Sequence, residues 1–530
     1  MRAEALPVAQ VPHLTRLYSH YLTDFSRVLP YYSCPPLSRD WMTSKPEYPA
    51  ERRAAVASVL EAQNQAWGAG EAAQRNLARF RAGAAAVVTG QQVALFGGPL
   101  YAILKAVTAI KLAEEATAAG VDTVPIFWLA TEDHDLAEVA FANLPAASHL
   151  QKVTVLPEAK DGAPVGSIRF DDEIKTAVRT AAELLGESEV TTWLRESYVP
   201  GATFGDAFAR LFARLFAEHG LIVLDPSHAE LHRITQPLYL QAAERAPELT
   251  ESLLERNRRL EAGGYHAQVK VTNTSTLLFA AEDGVRMPVQ RINSHFLIGE
   301  KKVKPEELKA KISGSPQSIT PNALFRPVVQ DHLLPTIAYV GGPAEVAYFA
   351  QSAIVYEKLL GRVTPIVPRL SATLVEPRIA RKLEKYRLVP AMAFHGEELL
   401  TRTLATHALP PELSAKFVAA RETLDAALGS LEMGLEKLDA TLREASERSA
   451  TKMRYQLQRL EQRAALAQQR RQDDIARHAH EIATALYPHK SLQERQVAGV
   501  YFLARYGMQL IAELKAHTDP ASADHLLLYP

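Results

Sequence analysis

The chain has 530 residues, 47% hydrophobic and 22% charged, with 59 Lys and Arg against 60 Asp and Glu. That length predicts two to four structural units; the charge balance argues against a nucleic-acid binder, which would carry a basic excess. No apolar run approaches the roughly 20 residues that a bilayer crossing needs, and the single cysteine, Cys34, excludes an internal disulfide or a cysteine metal cluster.

The opening MRAEALPVAQVPHL lacks the long apolar stretch of a secretory signal, so the cytoplasm is the expected location. Residues 1–82 read as a mostly helical segment packed on the core, with proline-rich joints at Tyr31–Pro36 and Lys45–Pro49. Cys34 sits in YYSCPP with no catalytic signature around it and reads as an inert thiol.

Ala85–Val88 is a short apolar run and predicts a buried strand. Thr89–Gly98 follows, rich in Gly and Gln. Pro99 then opens a helix, with Leu100, Ile103, Leu104, Val107 and Ile110 at helical spacing. A strand, a polar glycine loop and a helix leave backbone N–H groups open at a positive helix end. Thr89, Gly90, Gln91, Gln92, Gly97 and Gly98 are therefore candidates for holding an anion or a polar substrate.

Val124–Ala130 predicts a second strand, and Glu132-Asp133-His134-Asp135 stands at its end. Three carboxylates around one imidazole suit a divalent ion, proton handling, or a substrate ammonium or sugar hydroxyls. Helix capping explains one or two of these acids but not four consecutive polar side chains. Further strands are expected at Leu221–Leu224, Thr336–Val340 and Val363–Val367, with helices at Phe204–Glu218 and Ala344–Leu360. Strands alternating with helices predict an α/β protein with a mostly parallel sheet. Its ligand crevice is expected beyond the carboxyl ends of the strands. The core spans 83–375, with inserts near 143–200 and 227–318. Within the second, Val269–Val303 alternates and reads as a small β-rich piece.

Residues 321–351 read PNALFRPVVQDHLLPTIAYVGGPAEVAYFAQ. Asn322, Arg326, Gln330, Asp331, Tyr339, Gly341, Gly342 and Glu345 are substrate- or nucleotide-binding candidates. Arg326 suits two-point recognition of a carboxylate or phosphate, against the alternative of an internal ion pair. Gly97-Gly98-Pro99 and Gly341-Gly342-Pro343 are alike, and two such turns are expected to face one crevice. Neither G-x-x-x-x-G-K-[ST] nor G-x-G-x-x-G occurs; Lys311–Pro316, KISGSP, is a weak phosphate-contact candidate.

Residues 376–530 read as helical. Leu424, Leu428, Leu431, Leu435, Leu438 and Leu442 form a heptad seam, and an extra step of four after Leu442 is a stutter. One continuous helix over Glu412–Leu486 would span roughly 110 Å. Its partner is either another subunit or a second helix of this chain, if the rod turns back near the stutter. Leu492–Leu514 is expected to form a last helix.

Taken together, TGQQVALFGGPLYAILKA, FWLATEDHD and NALFRPVVQDHLLPTIAYVGGPAEVAYFAQ resemble the BshC family of bacillithiol biosynthesis over nearly the whole chain. The resemblance implies a Rossmann-like core with connecting inserts, a coiled-coil tail and a homodimer formed through that tail. It implies a cysteine ligase that joins cysteine to glucosaminyl malate. Amide formation needs carboxylate activation, so ATP, giving ADP, is the expected activator and Mg2+ a candidate companion ion. Glu132, Asp133, His134 and Asp135 are the catalytic candidates, with His134 the first choice of base and Asp133 the second. A transferase using a nucleotide-activated substrate and a metabolite-binding coiled-coil scaffold are the rival readings.

Overall fold

The computed structural model describes residues 1–43, 46–407, 409–439, 441–469 and 473–530. Lys45 of the second proline-rich joint, and positions 440 and 470–472 of the expected rod, lie outside the described residues.

The core is a five-stranded, wholly parallel sheet. Across it the strands run Ile366–Pro368, Thr336–Gly341, Ala85–Gln91, Thr123–Leu129, Ile222–Leu224. Ala85–Gln91 and Thr123–Leu129 are buried almost throughout, as expected of parallel strands covered on both faces. Their side chains divide with a period of two: Ile126 and Trp128 enter one apolar cluster, Phe127 and Leu129 the other. Phe127 packs on Phe208 and Phe212 of helix Phe204–Leu215.

From Ala85–Gln91 the chain builds first to one side, through Thr123–Leu129 and Ile222–Leu224, and later to the other, through Thr336–Gly341 and Ile366–Pro368. The strand order therefore reverses between Ala85–Gln91 and Thr336–Gly341. A crevice opens beyond the carboxyl ends of strands at such a reversal.

Two long segments separate the core strands. The first holds the hairpin Phe141–Pro145/Leu150–Thr154 and helices Glu173–Leu185 and Glu189–Ser197. The second holds helices Ala229–Glu244 and Ala246–Ala262, then an antiparallel sheet of Ser275–Glu282, Val285–Ile292, His295–Ile298 and Lys301–Val303. Ile319–Pro321, beyond the stretch read as β-rich, adds a fifth strand. Asp283 and Gly284, at φ 51° and 80°, make the tight turn between its first two strands.

The N-terminal segment is helical over Arg16–Thr23, Ala50–Ala66 and Glu71–Ala82, but it begins as strand Arg2–Leu6. That strand pairs with the C-terminal strand His525–Tyr529, which also pairs with Ala372–Leu374. The two chain ends thus close one small sheet.

The expected rod is not continuous. Helix Pro411–Leu438 ends at Asp439, which is extended at φ −157° and ψ 120°, and helix Leu442–Gln469 runs back beside it. The Asp439 carboxylate accepts from both the backbone N–H and the hydroxyl of Thr441. This is an acid-capped turn, which a search for Gly or Pro overlooks. Ion pairs Arg421–Glu461 and Arg454–Asp425, both at 2.7 Å, fix the antiparallel register. Each arm has 28 residues, so the hairpin reaches about 42 Å instead of 110 Å. The expected last helix is likewise three pieces, Gln493–Gln496, Gly499–Tyr506 and Gln509–His517; Gly507 at φ 77° separates the last two.

Candidate functional site

A cavity of about 760 Å³ lies at the carboxyl ends of the core strands, where the strand order reverses, and the antiparallel insert forms its far wall. Gly90 and Gln91 enter it from the first core strand, Glu132, Asp133 and His134 from the loop after the second, and Tyr339 from the fourth. Gly342 and Glu345 come from the start of helix Pro343–Leu360; Phe279 and Arg286 come from the insert. Gly90 has a steric reason to be glycine: a Cβ there would sit 2.8 Å from the carbonyl oxygen of Trp128 on the neighbouring strand.

The floor is a buried charge pair. Lys105, on the helix that follows the first core strand, donates to the Gly90 carbonyl at 2.9 Å and to Gln91 Oε1 at 2.8 Å, and it meets the Glu345 carboxylate. Burial pushes the Lys105 ammonium down, with Glu345 opposing. Burial alone would raise the Glu345 carboxyl, but Lys105, the Gly342 N–H and Arg369 bring it below its ordinary value. Glu345 Oε2 accepts that N–H at 3.0 Å, closing the first turn of its helix.

The acidic tetrapeptide does not act as one cluster. Asp133 is committed on both oxygens: Oδ1 accepts the His134 backbone N–H, and Oδ2 accepts from Gln92 Nε2, each at 2.8 Å. His134 Nδ1 accepts from Arg286 Nη1 at 3.0 Å, so the neutral ring carries its proton on Nε2 and presents a donor. Glu132 Oε1 is buried 2.9 Å from His232 Nε2, and neither Glu132 oxygen makes a hydrogen bond among the described residues. Asp135 lies outside the cavity wall and caps the short helix Leu136–Val139 through the Glu138 N–H. Among the described residues, no group of three His, Cys, Asp or Glu side chains is arranged to hold a metal.

Arg326 reaches the wall from helix Arg326–Leu333. Its partners are neutral: Gln330 Oε1 at 3.1 Å, Tyr348 at 2.9 Å and Tyr339 at 3.4 Å. Arg326 has no carboxylate within 4.0 Å among the described residues, in contrast to Lys105 on Glu345 and Arg369 on Glu494. Asn322 also lines the cavity, but its carboxamide oxygen accepts from the Leu324 and Phe325 N–H groups and shapes the turn before that helix.

Several expected residues stand behind the wall. Thr89 donates to the Val340 carbonyl and ties two core strands together. Gln330 is fully buried behind Arg326. Asp331 is held by the Thr364 hydroxyl, with Arg362 at 3.7 Å. Gly341 ends its strand against Ile366. The expectation that both GGP turns face one crevice is corrected. Gly342 and Pro343 line the cavity, but Gly97 and Gly98 are packed away from it. The Gly97 N–H donates to the Tyr198 hydroxyl, Gly97 abuts Leu211 and Phe212, and the Gly98 carbonyl accepts from the Gly499 N–H. Leu100 N–H and Ala102 N–H near the helix start are also spent on Val497 and Pro99 carbonyls. Lys311 of KISGSP pairs with Glu282, outside this cavity. Cys34 is half-buried and its thiol is pushed up to about 11 by burial, which leaves little thiolate at neutral pH.

Sequence reasoning missed Lys105, Arg286, Arg369 and His232. Lys105 carried a signal: it is the only charged residue within the apolar stretch Leu100–Ile110. Arg286 and His232 carried none, since inserts far away in the chain deliver them.

Two family models cover the chain. Residues 1–370 match the N-terminal Rossmann-like domain of bacillithiol-biosynthesis BshC, and residues 372–530 match its C-terminal coiled-coil domain. A protein of Koribacter versatilis with the name "Putative cysteine ligase BshC" is 48% identical over 97% of both chains. Proteins of the same name from Solibacter usitatus and Salinibacter ruber are 35% and 33% identical. The first covers 100% of both chains, the second 97% of this chain and 96% of its own.

Proposed function

Since the chain belongs to the BshC family of bacillithiol biosynthesis, we propose that it is a ligase forming an amide between the carboxyl group of cysteine and the amine of glucosaminyl malate, driven by ATP. One observation carries this reading: a cavity at the strand reversal brings Arg326, without a carboxylate partner among the described residues, together with Glu132, whose Oε2 makes no hydrogen bond among them. A guanidinium held only by phenols and an amide suits a substrate carboxylate. The malyl group of the acceptor supplies one.

A carboxylate does not react with an amine until one of its oxygens becomes part of a leaving group. ATP supplies that activation: the oxygen departs bonded to phosphorus as the amine nitrogen bonds to the carbonyl carbon. The nitrogen must shed a proton in the same step. Glu132 is the base in this reading, because both Asp133 oxygens are occupied and His134 Nδ1 is taken by Arg286. His134 then donates from Nε2 to the oxygen that gathers negative charge. Arg286, which has no carboxylate partner among the described residues, supplies positive charge suited to phosphates. A Mg2+ carried on phosphates would need only one or two carboxylates from the protein, and Glu138 of the wall can offer one.

The reading places the reaction in the cytoplasm, where ATP and cysteine are available; no described helix is long and apolar enough to cross a membrane. It also includes a homodimer through the helical hairpin, supported by Leu431 and Leu438, which are 56% and 78% exposed on the hairpin. The deciding assay incubates the purified protein with cysteine, glucosaminyl malate and ATP and identifies products by mass. Amide product together with a cleaved nucleotide is expected. Product formed equally without ATP would sink the ligase reading in favour of a transferase.

A further inference from the structure

Glu132 shows the cavity only one of its two oxygens. Oε1 is turned into the protein, where it is buried without a hydrogen bond among the described residues, and His232 Nε2 lies 2.9 Å from it, a small ring rotation away from donating. His232 belongs to helix Ala229–Glu244 in the second insert and is 3% exposed. Its other ring nitrogen, Nδ1, faces the hydroxyl of Tyr239 at 3.5 Å, and Tyr239 is itself buried. Leucines flank both residues in this helix, at Leu231 and Leu238, so packing alone gives no reason for an imidazole here.

We propose that His232 is a positioning residue for Glu132, donating from Nε2 to Oε1 so that Oε2 is held toward the attacking amine. The inference rests on Glu132 being the base in the ligase reading. In the step itself the amine proton moves to Glu132 Oε2 as nitrogen bonds to the activated carbonyl carbon, and the leaving phosphate takes the electron pair of the broken C–O bond. His232 keeps its own proton throughout. A second carboxylate makes such a donor necessary. Asp225, at the end of core strand Ile222–Leu224, is buried against the Thr131 hydroxyl, close enough for its charge and that of Glu132 to act on each other. Arg286 from the antiparallel sheet and Tyr239 from the same helix are the other titratable groups acting on this pair, with Asp133 next along the loop. The arrangement is an acid–base side chain oriented by a third group from behind.

Two measurements test it. In protein labelled with 15N-histidine, the His232 Nε2 resonance is expected to move in Glu132→Gln relative to the parent chain, because the carboxylate it faces is gone. An unmoved resonance overturns the contact. In the amide-forming assay, His232→Ala is expected to lower kcat about tenfold or more with KM for cysteine unchanged, and to move the acid limb of the pH profile. His232→Gln, whose amide can still donate to Oε1, is expected to recover most of kcat. Two variants that both match the parent, or that fall equally with an unmoved acid limb, overturn the proposal. Should the Ala variant not fold, the kcat and acid limb of the Gln variant against the parent decide. An inactive Glu132→Gln with unaffected His232 variants removes this inference alone. A fully active Glu132→Gln removes the base assignment and this inference with it.

Discussion

Lys105 and Glu345 meet at the cavity floor and join the two helices that follow the adjacent strands Ala85–Gln91 and Thr336–Gly341. Their side chains are 3% and 15% exposed, so the charges depend on each other and not on water. Removing one partner of a buried pair leaves a stranded charge and costs about 3–5 kcal/mol. Lys105→Met is expected to lose stability in that range, measured by urea unfolding. Glu345→Gln is expected to do the same. The double variant should lose clearly less than the two single losses added, because no charge is left uncompensated.

The second buried pair, Arg369 with Glu494, gives the fold a defined acid sensitivity. The pair is bidentate and 4% and 1% exposed. Burial would raise the Glu494 carboxyl, but Arg369 beside it, with His525 and the Ala372 N–H, takes it below its ordinary 4.5. Glu345 is shifted the same way. Both carboxyls therefore hold their protons less tightly in the folded chain than in the unfolded one. The stability they contribute is complete above about pH 4.5 and drains away as the pH falls through their folded values. Urea midpoints at pH 7, 5 and 4 are expected to fall more steeply below pH 5 in the parent than in Glu494→Gln, which starts lower and changes less.

The layout of the core was legible because its signals are local. Each core strand is a short apolar run ended by polar residues, and the turn at Asp283-Gly284 declares itself in sequence. What was lost depends on distance along the chain. Gly97-Gly98-Pro99 looks like Gly341-Gly342-Pro343, but whether such a turn faces a cavity or a neighbouring helix depends on Leu211, Phe212 and Gly499, more than a hundred residues away. The leucine seam at Leu424–Leu442 is divided by the hairpin, which buries Leu428 and leaves Leu431 and Leu438 exposed. A turn back near the stutter stands among the sequence's alternatives, but its exact stop does not, because Asp439 ends the helix by accepting from Thr441, a polar device that apolar periodicity does not register.

Arg326 sets the third prediction. With Tyr339, Tyr348 and Gln330 as its only hydrogen-bond partners among the described residues, its charge is available for a substrate carboxylate. A hydrogen bond to a charged group contributes about 1.5–3 kcal/mol. Arg326→Gln is accordingly expected to lower kcat/KM for glucosaminyl malate roughly 10- to 100-fold. An acceptor with the malyl carboxylates removed should be used poorly by the parent and no worse by the variant. Equal losses on both acceptors would assign Arg326 to packing and not to recognition.

The hairpin carries the fourth. Leu431 and Leu438 are exposed on an arm whose other face is covered by the returning helix. Leu431→Glu with Leu438→Glu places charge on that face and breaks a symmetric apolar contact between copies. Sedimentation is expected to show a dimer for the parent and a monomer for the double variant. Each exposed substitution alters the stability of the single chain by no more than about 0.5 kcal/mol. A parent that sediments as a monomer would refute the dimer, and a double variant that stays dimeric would move the contact elsewhere.

His134 and Glu132 separate by their pH behaviour. A base must lose its proton before it works, whereas a donor must keep one. With Nδ1 occupied by Arg286, His134 is a donor, and its removal takes away a hydrogen bond to a developing charge. His134→Ala is expected to lower kcat by roughly 10²- to 10³-fold, on the scale of losing one such donor. The acid limb of the profile should stay where Glu132 sets it, and urea unfolding should remain near that of the parent. His134→Gln, which still offers an N–H, should restore part of the rate. Loss of the acid limb in His134→Ala would return the role of base to the imidazole.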